Sequence, residues 1–125
     1  MAIDLNHTIV LSRDAQDSAT FLSEILGLPA PVRMGHFQAV ATDNGVSLDF
    51  ATVDHEIVPQ HYAFLISEAE FDEVLARVTE RDLEYWADPR KARPGEIGTD
   101  HGRGFYFEDP SGHYLEVLTR PYEPW

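Results

Sequence analysis

Two histidines open matching segments of the chain, and each is a potential metal ligand. His7 lies near the start of the run 5–12 and His61 near the start of the run 60–67. Both runs are apolar and strand-like, end in serine and lead into a helix-like stretch. Imidazole is a common ligand for divalent transition metals, so both histidines are candidate metal ligands.

Two carboxylates complete the repeated pattern. The segment 43–50 is echoed by the segment 110–117, and aligning Gly45 with Gly112 places Asp49 opposite Glu116. Two histidines with one or two carboxylates form a nitrogen- and oxygen-rich ligand set for a divalent metal.

The elements between these residues repeat in the order β-α-β-β, with room for one more short strand in each half. Asp14 as N-cap and Gly27 as C-terminal glycine delimit a first helix, and Ser67 with Glu70 forms a capping box for a second that ends near Arg81. Strands are predicted at 5–11, 37–42, 46–51, 61–66, 83–86, 104–108 and 114–119. The modules span about 4–53 and about 60–120 of a single domain, 1–125.

Strand alternation places each candidate ligand on a largely apolar face. An unpaired carboxylate in such a setting costs several kcal/mol, and a bound cation would remove that cost. The alternative is that each histidine is an ordinary structural residue and Glu116 a solvated edge carboxylate. The occurrence of these residues at equivalent positions of two modules strengthens the case for a metal site, and from the residues alone both interpretations stay open.

Composition excludes several classes of function. The 125 residues are 43% hydrophobic and carry a formal charge of −13, which argues against binding to nucleic acid or anionic membranes. The absence of cysteine excludes disulfides, thiolate nucleophiles and Cys-ligated zinc. No signal peptide and no apolar run of about 18 residues is evident. We therefore expect a cytoplasmic protein.

Two motifs resemble the vicinal oxygen chelate superfamily, which includes glyoxalases, bleomycin-resistance proteins and extradiol dioxygenases. The run 107–117 is similar to the family's Asp-Pro-x-Gly turn followed by a ligand-bearing strand, and the run 21–28 resembles the family's first-helix ending in Leu-Gly-Leu. The resemblance implies an α+β fold, in which two paired βαβββ modules form a curved mixed β-sheet around a central cleft.

The resemblance also implies a site. One divalent metal (Fe, Mn, Ni, Co or Zn) would be held by His7, His61 and Glu116, while Asp49 falls on a fourth position for which it is one methylene short. The metal would bind two neighbouring oxygens of a small-molecule substrate and act as a Lewis acid. Family members of this size commonly form homodimers, with sites built within one chain or across two.

The resemblance leaves the reaction open between a glyoxalase-type lyase or isomerase and a ring-cleaving dioxygenase. Asp49 argues against a glyoxalase I, and Ile9 on the face of His7 supplies no hydroxyl for a fosfomycin site. The alternative to an enzyme is a bleomycin-resistance-like protein that sequesters a drug or natural product.

Two further features concern the substrate. Among possible acid or base groups near the last hairpin, namely Tyr106, His113 and Tyr114, alternation favours Tyr114 as catalytic because it shares the face of Glu116. The loop 87–103 is rich in basic residues, either as a lid for an anionic or aromatic substrate or, preferably, as a solvated loop balancing nearby acids.

Overall fold

The computed structural model describes residues 3–123, which divide into two compact units between Val58 and Pro59. The first unit contains β1 (His7–Ser12), α1 (Ala15–Leu26), β2 (Val32–Met34), β3 (Phe37–Ala41) and β4 (Ser47–Thr52). The second contains β5 (His61–Leu65), α2 (Glu68–Glu80), β6 (Gly104–Glu108) and β7 (Tyr114–Leu118). The predicted α+β class and the two-module repeat are confirmed.

The first unit is a four-stranded mixed sheet in the order β1-β4-β3-β2. β1 pairs in parallel with β4, and the other pairings are antiparallel. The side chains of Val10, Leu48 and Phe50 are buried with the apolar residues of α1, such as Leu22 and Ile25. The opposite face of the sheet carries His7 and Asp49, because side chains alternate along each strand.

The second unit has a three-stranded sheet in the order β5-β7-β6, with β5 parallel to β7. Its core lies on the helix side, where Phe71 of α2 meets Phe105 of β6 with ring centroids 5.4 Å apart. Both rings are fully buried. The opposite face, which we call the ligand face, carries His61, Tyr106 and Glu116.

The predicted helix boundaries are confirmed in atomic detail. The Asp14 carboxylate accepts the backbone N–H of Asp17, and Gly27 ends α1 in the left-handed conformation at φ 70°. Ser67 and Glu70 form the reciprocal capping box of α2. Neither helix in residues 3–123 is long and apolar enough to cross a membrane.

One predicted strand is wrong. Residues 83–86 contribute only isolated bridges, from Trp86 to Pro94 and to Tyr106. Proline has no N–H, so the bridge from Trp86 to Pro94 cannot extend into a ladder. The first module does have the additional short strand, β2, whose position was not predicted.

Candidate functional site

His61 and Glu116 form the central pair of the ligand face. The imidazole Nε2 of His61 lies 3.1 Å from Oε1 of Glu116. The parallel register brings them together, because Ala63 pairs with Glu116 and His61 with Tyr114. Two predicted ligands that are 55 residues apart in sequence are thus in direct contact.

The turn between β6 and β7 holds this register. The buried Asp109 carboxylate accepts the backbone N–H groups of Ser111 and His113, and burial raises the pKa of Asp109 above its usual range. The Nδ1 atom of His113 accepts the backbone N–H of Gln60 at 2.9 Å. The Asp-Pro-Ser-Gly-His motif therefore ties the residue before His61 to the strand that carries Glu116. His113 is a positioning residue on the buried side, away from the ligand face.

The Glu116 carboxylate is buried, and its ion-pair partner on the ligand face is His61. The residue is 8% exposed, whereas the His61 side chain is half exposed. Lysine and arginine ion pairs in the described part of the chain go to other carboxylates, namely Glu68, Asp72, Glu73, Glu96 and Glu108. A buried anion compensated mainly by a histidine is electrostatically costly, and a divalent cation between the two side chains would offset the cost.

Tyr106 is the tyrosine that contacts this pair. It is the cross-strand neighbour of Glu116 and donates a hydrogen bond to the Glu116 carboxylate. Its ring centroid lies 5.7 Å from that of His61. Burial, and secondarily the negative charge of Glu116, raises the pKa of Tyr106 to about 12. The phenol therefore keeps its proton at neutral pH.

A small open pocket lies beside Glu116 and Tyr106. It is lined by Ala87, Gly98, Asp100, His101, Gly104, Tyr106, Glu116 and Leu118. This lining includes two carboxylates and neither lysine nor arginine. It is suited to neutral oxygen groups and metal cations rather than to a strongly anionic ligand.

The first module carries the equivalent positions but a different contact. His7 pairs in register with Ser47 and Ile9 with Asp49, which is the same offset that relates His61 to Glu116. Here, however, the Asp49 carboxylate accepts a hydrogen bond from the Ser47 hydroxyl at 2.6 Å. His7 is exposed, and its Nδ1 lies 2.7 Å from Oδ1 of Asn6.

Within the second unit, the structure brings two of the predicted ligands together, His61 and Glu116. Among residues 3–123, no group of three or more His, Cys, Asp or Glu side chains is arranged to hold a metal. The His61–Glu116 pair supplies one nitrogen and one carboxylate donor, which suits a borderline divalent metal but leaves at least one further protein ligand to be provided. The predicted role of His7 stays a prediction.

Tyr114, the predicted acid or base, has another neighbour. The ammonium of Lys91 lies 5.5 Å from its ring centroid and 4.7 Å from that of Trp86. Lys91 also forms an ion pair with Glu108, which is the cross-strand partner of Tyr114. Tyr106, one of the three possible acid or base groups but not the favoured one, is the cross-strand neighbour of Glu116.

The basic residues around the loop 87–103 mostly balance acids. Arg93 pairs with Glu96 at 3.3 Å, and Arg103 pairs with Glu68 at 2.8 Å and with Asp72 at 3.0 Å. These contacts favour the solvated-loop interpretation for Arg93 and Arg103. Lys91 differs because its ion-pair partner lies on the ligand face.

A family model described as "Glyoxalase/Bleomycin resistance protein/Dioxygenase superfamily" matches residues 4–117. The chain is 30% identical over 123 residues to the protein named Glutathione transferase FosA of Serratia marcescens, covering 94% of this chain and 81% of that protein.

Solved structures give two further comparisons. The chain is 56% identical to the protein named Oxidase ChaP-H1, with a TM-score of 0.95, covering 97% of this chain and 98% of that one. The fosfomycin resistance protein FosX of Listeria monocytogenes, solved as an E126Q mutant with Mn(II) and a dihydroxypropylphosphonic acid, is 19% identical with a TM-score of 0.70. It covers 97% of this chain and 95% of its own, and its likeness concerns the fold.

Proposed function

The chain belongs to the Glyoxalase/Bleomycin resistance protein/Dioxygenase superfamily, and we propose that it is a metal-dependent oxidase. Its substrate would be a small molecule that presents two neighbouring oxygens to the metal. The observation that carries the proposal is the contact between His61 and the buried carboxylate of Glu116 on an open sheet face.

We propose that His61, Glu116 and His7 hold one divalent metal, with His7 supplied by the same chain or by a second copy in a homodimer. Two nitrogens and one carboxylate are a ligand set known for Fe(II) and O₂ chemistry when further coordination positions stay open. When bound, such a metal would act as a Lewis acid toward the substrate oxygens and as the centre for O₂ reduction.

The protein's own residues orient the two proposed metal ligands of the second unit. The register between β5 and β7 fixes His61 against Glu116, and the Tyr106 hydroxyl donates to the same carboxylate. Because the pKa of Tyr106 is about 12, this phenol serves as a hydrogen-bond donor rather than as a general base near neutral pH.

Oxidase chemistry is favoured over the transferase chemistry of the named fosfomycin relative by two observations. The 56% identity with the protein named an oxidase extends over 97% of the chain. The pocket beside Glu116 also contains Asp100 and no lysine or arginine among its lining residues, so a dianionic phosphonate would be repelled there.

The first test is metal stoichiometry. Protein purified without chelator or histidine tag is expected to bind about one divalent metal per chain, on the ligand-set argument. His61→Ala should reduce this strongly while leaving the circular dichroism spectrum unchanged. His36→Ala, an exposed histidine outside the strands, is the matched control and should bind metal as the parent does. Unchanged metal content in His61→Ala would refute the ligand assignment.

The second test addresses the reaction. Fe(II)-loaded protein is mixed with catechols in an oxygen electrode, and substrate-dependent O₂ uptake is expected from the parent and from His36→Ala but not from His61→Ala. Stoichiometric metal binding without O₂ uptake for any chelating substrate would leave the metal site intact and reject the oxidase. Failure to bind metal at all would reject the metalloenzyme.

A further inference from the structure

Lys91 and Tyr114 form a second polar position on the ligand face, next to the His61–Glu116 pair. We propose that Lys91, held against Tyr114, is a specificity-determining residue that binds a carboxylate on the far side of an aromatic substrate. This inference rests on the proposed function, because the near side of that substrate would be held through its two neighbouring oxygens.

The register sets the separation between the two positions. On β7, Tyr114 and Glu116 are two residues apart and share a face, as do Tyr106 and Glu108 on β6. The Glu116 and Tyr114 positions are therefore about 7 Å apart along β7, with His61 as the cross-strand partner of Tyr114. This distance is of the order of one benzene ring with substituents at opposite ends.

The Lys91 ammonium is held in place by several contacts. It pairs with the carboxylate of Glu108 and lies over the rings of Trp86 and Tyr114. Lys91 itself has a positive φ of 61°, a conformation that non-glycine residues seldom adopt, and the loop holds it there. A flexible lysine normally loses rotamer entropy when it binds a ligand, and much of that loss has already occurred here.

The Lys91 ammonium can still donate hydrogen bonds to a ligand. A lysine ammonium carries three N–H donors, and its recorded hydrogen bond uses Glu108. The Lys91 side chain is 38% exposed, and Tyr114 is 37% exposed. An aromatic ring lying on Tyr114 would thus reach a charge-assisted donor at its far edge.

The test compares two probes that differ at that far edge. Zn(II)-loaded protein is titrated calorimetrically with catechol and with 3,4-dihydroxybenzoate, whose carboxylate lies opposite the vicinal hydroxyl pair. We expect the parent to bind the carboxylated probe at least about tenfold more tightly, as one charge-assisted hydrogen bond allows. Lys91→Met should abolish this preference while leaving catechol affinity unchanged, and Lys91→Arg should retain most of it.

Arg93→Met is the matched control, because Arg93 belongs to the same loop but pairs with Glu96. It should keep the parent's preference. Catechol binding without a preference in the parent, or a preference that survives in Lys91→Met, would overturn the role of Lys91 and leave the proposed function standing. Failure of both probes to bind the metal-loaded parent would overturn the proposed function together with this inference.

Discussion

Replacing Glu116 by glutamine separates a functional carboxylate from a structural one. The substitution preserves size and one oxygen acceptor, replaces the other carboxylate oxygen by an amide donor, and removes the charge. In the metal-free protein that charge is a burden, since the residue is 8% exposed and faces His61 and the Tyr106 hydroxyl. Several kcal/mol of desolvation are offset by hydrogen bonds to a charged group worth about 1.5–3 kcal/mol each.

These opposing contributions nearly cancel. We therefore expect metal-free Glu116→Gln to differ from the parent by no more than about 1 kcal/mol in the free energy of unfolding, with stabilisation as the favoured sign. A purely structural carboxylate, whose charge-assisted bonds outweighed its burial, would instead lose about 1.5–3 kcal/mol on the same change.

Metal binding provides the second measurement. At a free metal concentration of 100 times Kd, the parent should gain about 2.7 kcal/mol, or roughly 10 °C in Tm for a domain of this size. Glu116→Gln should lose nearly all of this shift. Differential scanning calorimetry with and without Zn(II) measures both quantities, and Asp49→Asn serves as the control because its carboxylate bonds to Ser47. A full metal-induced shift in Glu116→Gln would refute the reasoning.

Three further predictions concern stability and titration. Phe71→Ala should cost about 3–5 kcal/mol in urea unfolding, because its fully buried ring packs on the β6 core; a loss below about 1 kcal/mol would contradict that packing. Asp14→Ala should cost about 1 kcal/mol in the same assay, because it removes the N-cap of α1. An unchanged free energy of unfolding would count against the cap. The folded state holds the Tyr106 proton more tightly than the unfolded state, so its stabilising contribution is complete below pH 10 and is lost between pH 10 and about 12. Absorbance titration at 295 nm should show a late phase that is smaller in Tyr106→Phe, where Tyr62, whose pKa burial also raises, still contributes.

Much of the fold follows from local signals. The capping box at Ser67 and Glu70 and the glycine after α1 are short-range features whose geometry depends on neighbouring residues alone. The prediction of a strand at 83–86 was wrong because strand formation depends on residues that are distant in sequence. The segment's hydrophobic pattern suits a strand, but a strand needs several successive paired residues, and here the bridges to Tyr106 and Pro94 involve Trp86 alone.

The sequence predicts that His61 and Glu116 belong to one site, but it does not predict their direct contact at 3.1 Å. Alternation along a strand assigns a face, whereas the neighbour on the next strand depends on register. That register explains why Tyr106 rather than Tyr114 reaches Glu116. Counting outward from the turn 109–112 would have paired Tyr106 with Glu116, whereas alternation on β7 alone favours Tyr114.

The two modules place equivalent carboxylates in different local contacts. Asp49 and Glu116 occupy the same register position relative to His7 and His61, so their difference is local. The shorter Asp49 side chain bonds to Ser47 two residues away on its own strand. In the second module the corresponding position is Tyr114, whose ring contacts Lys91 instead. Glu116 is longer by one methylene, and its carboxylate is therefore directed to His61 and Tyr106 on the neighbouring strands.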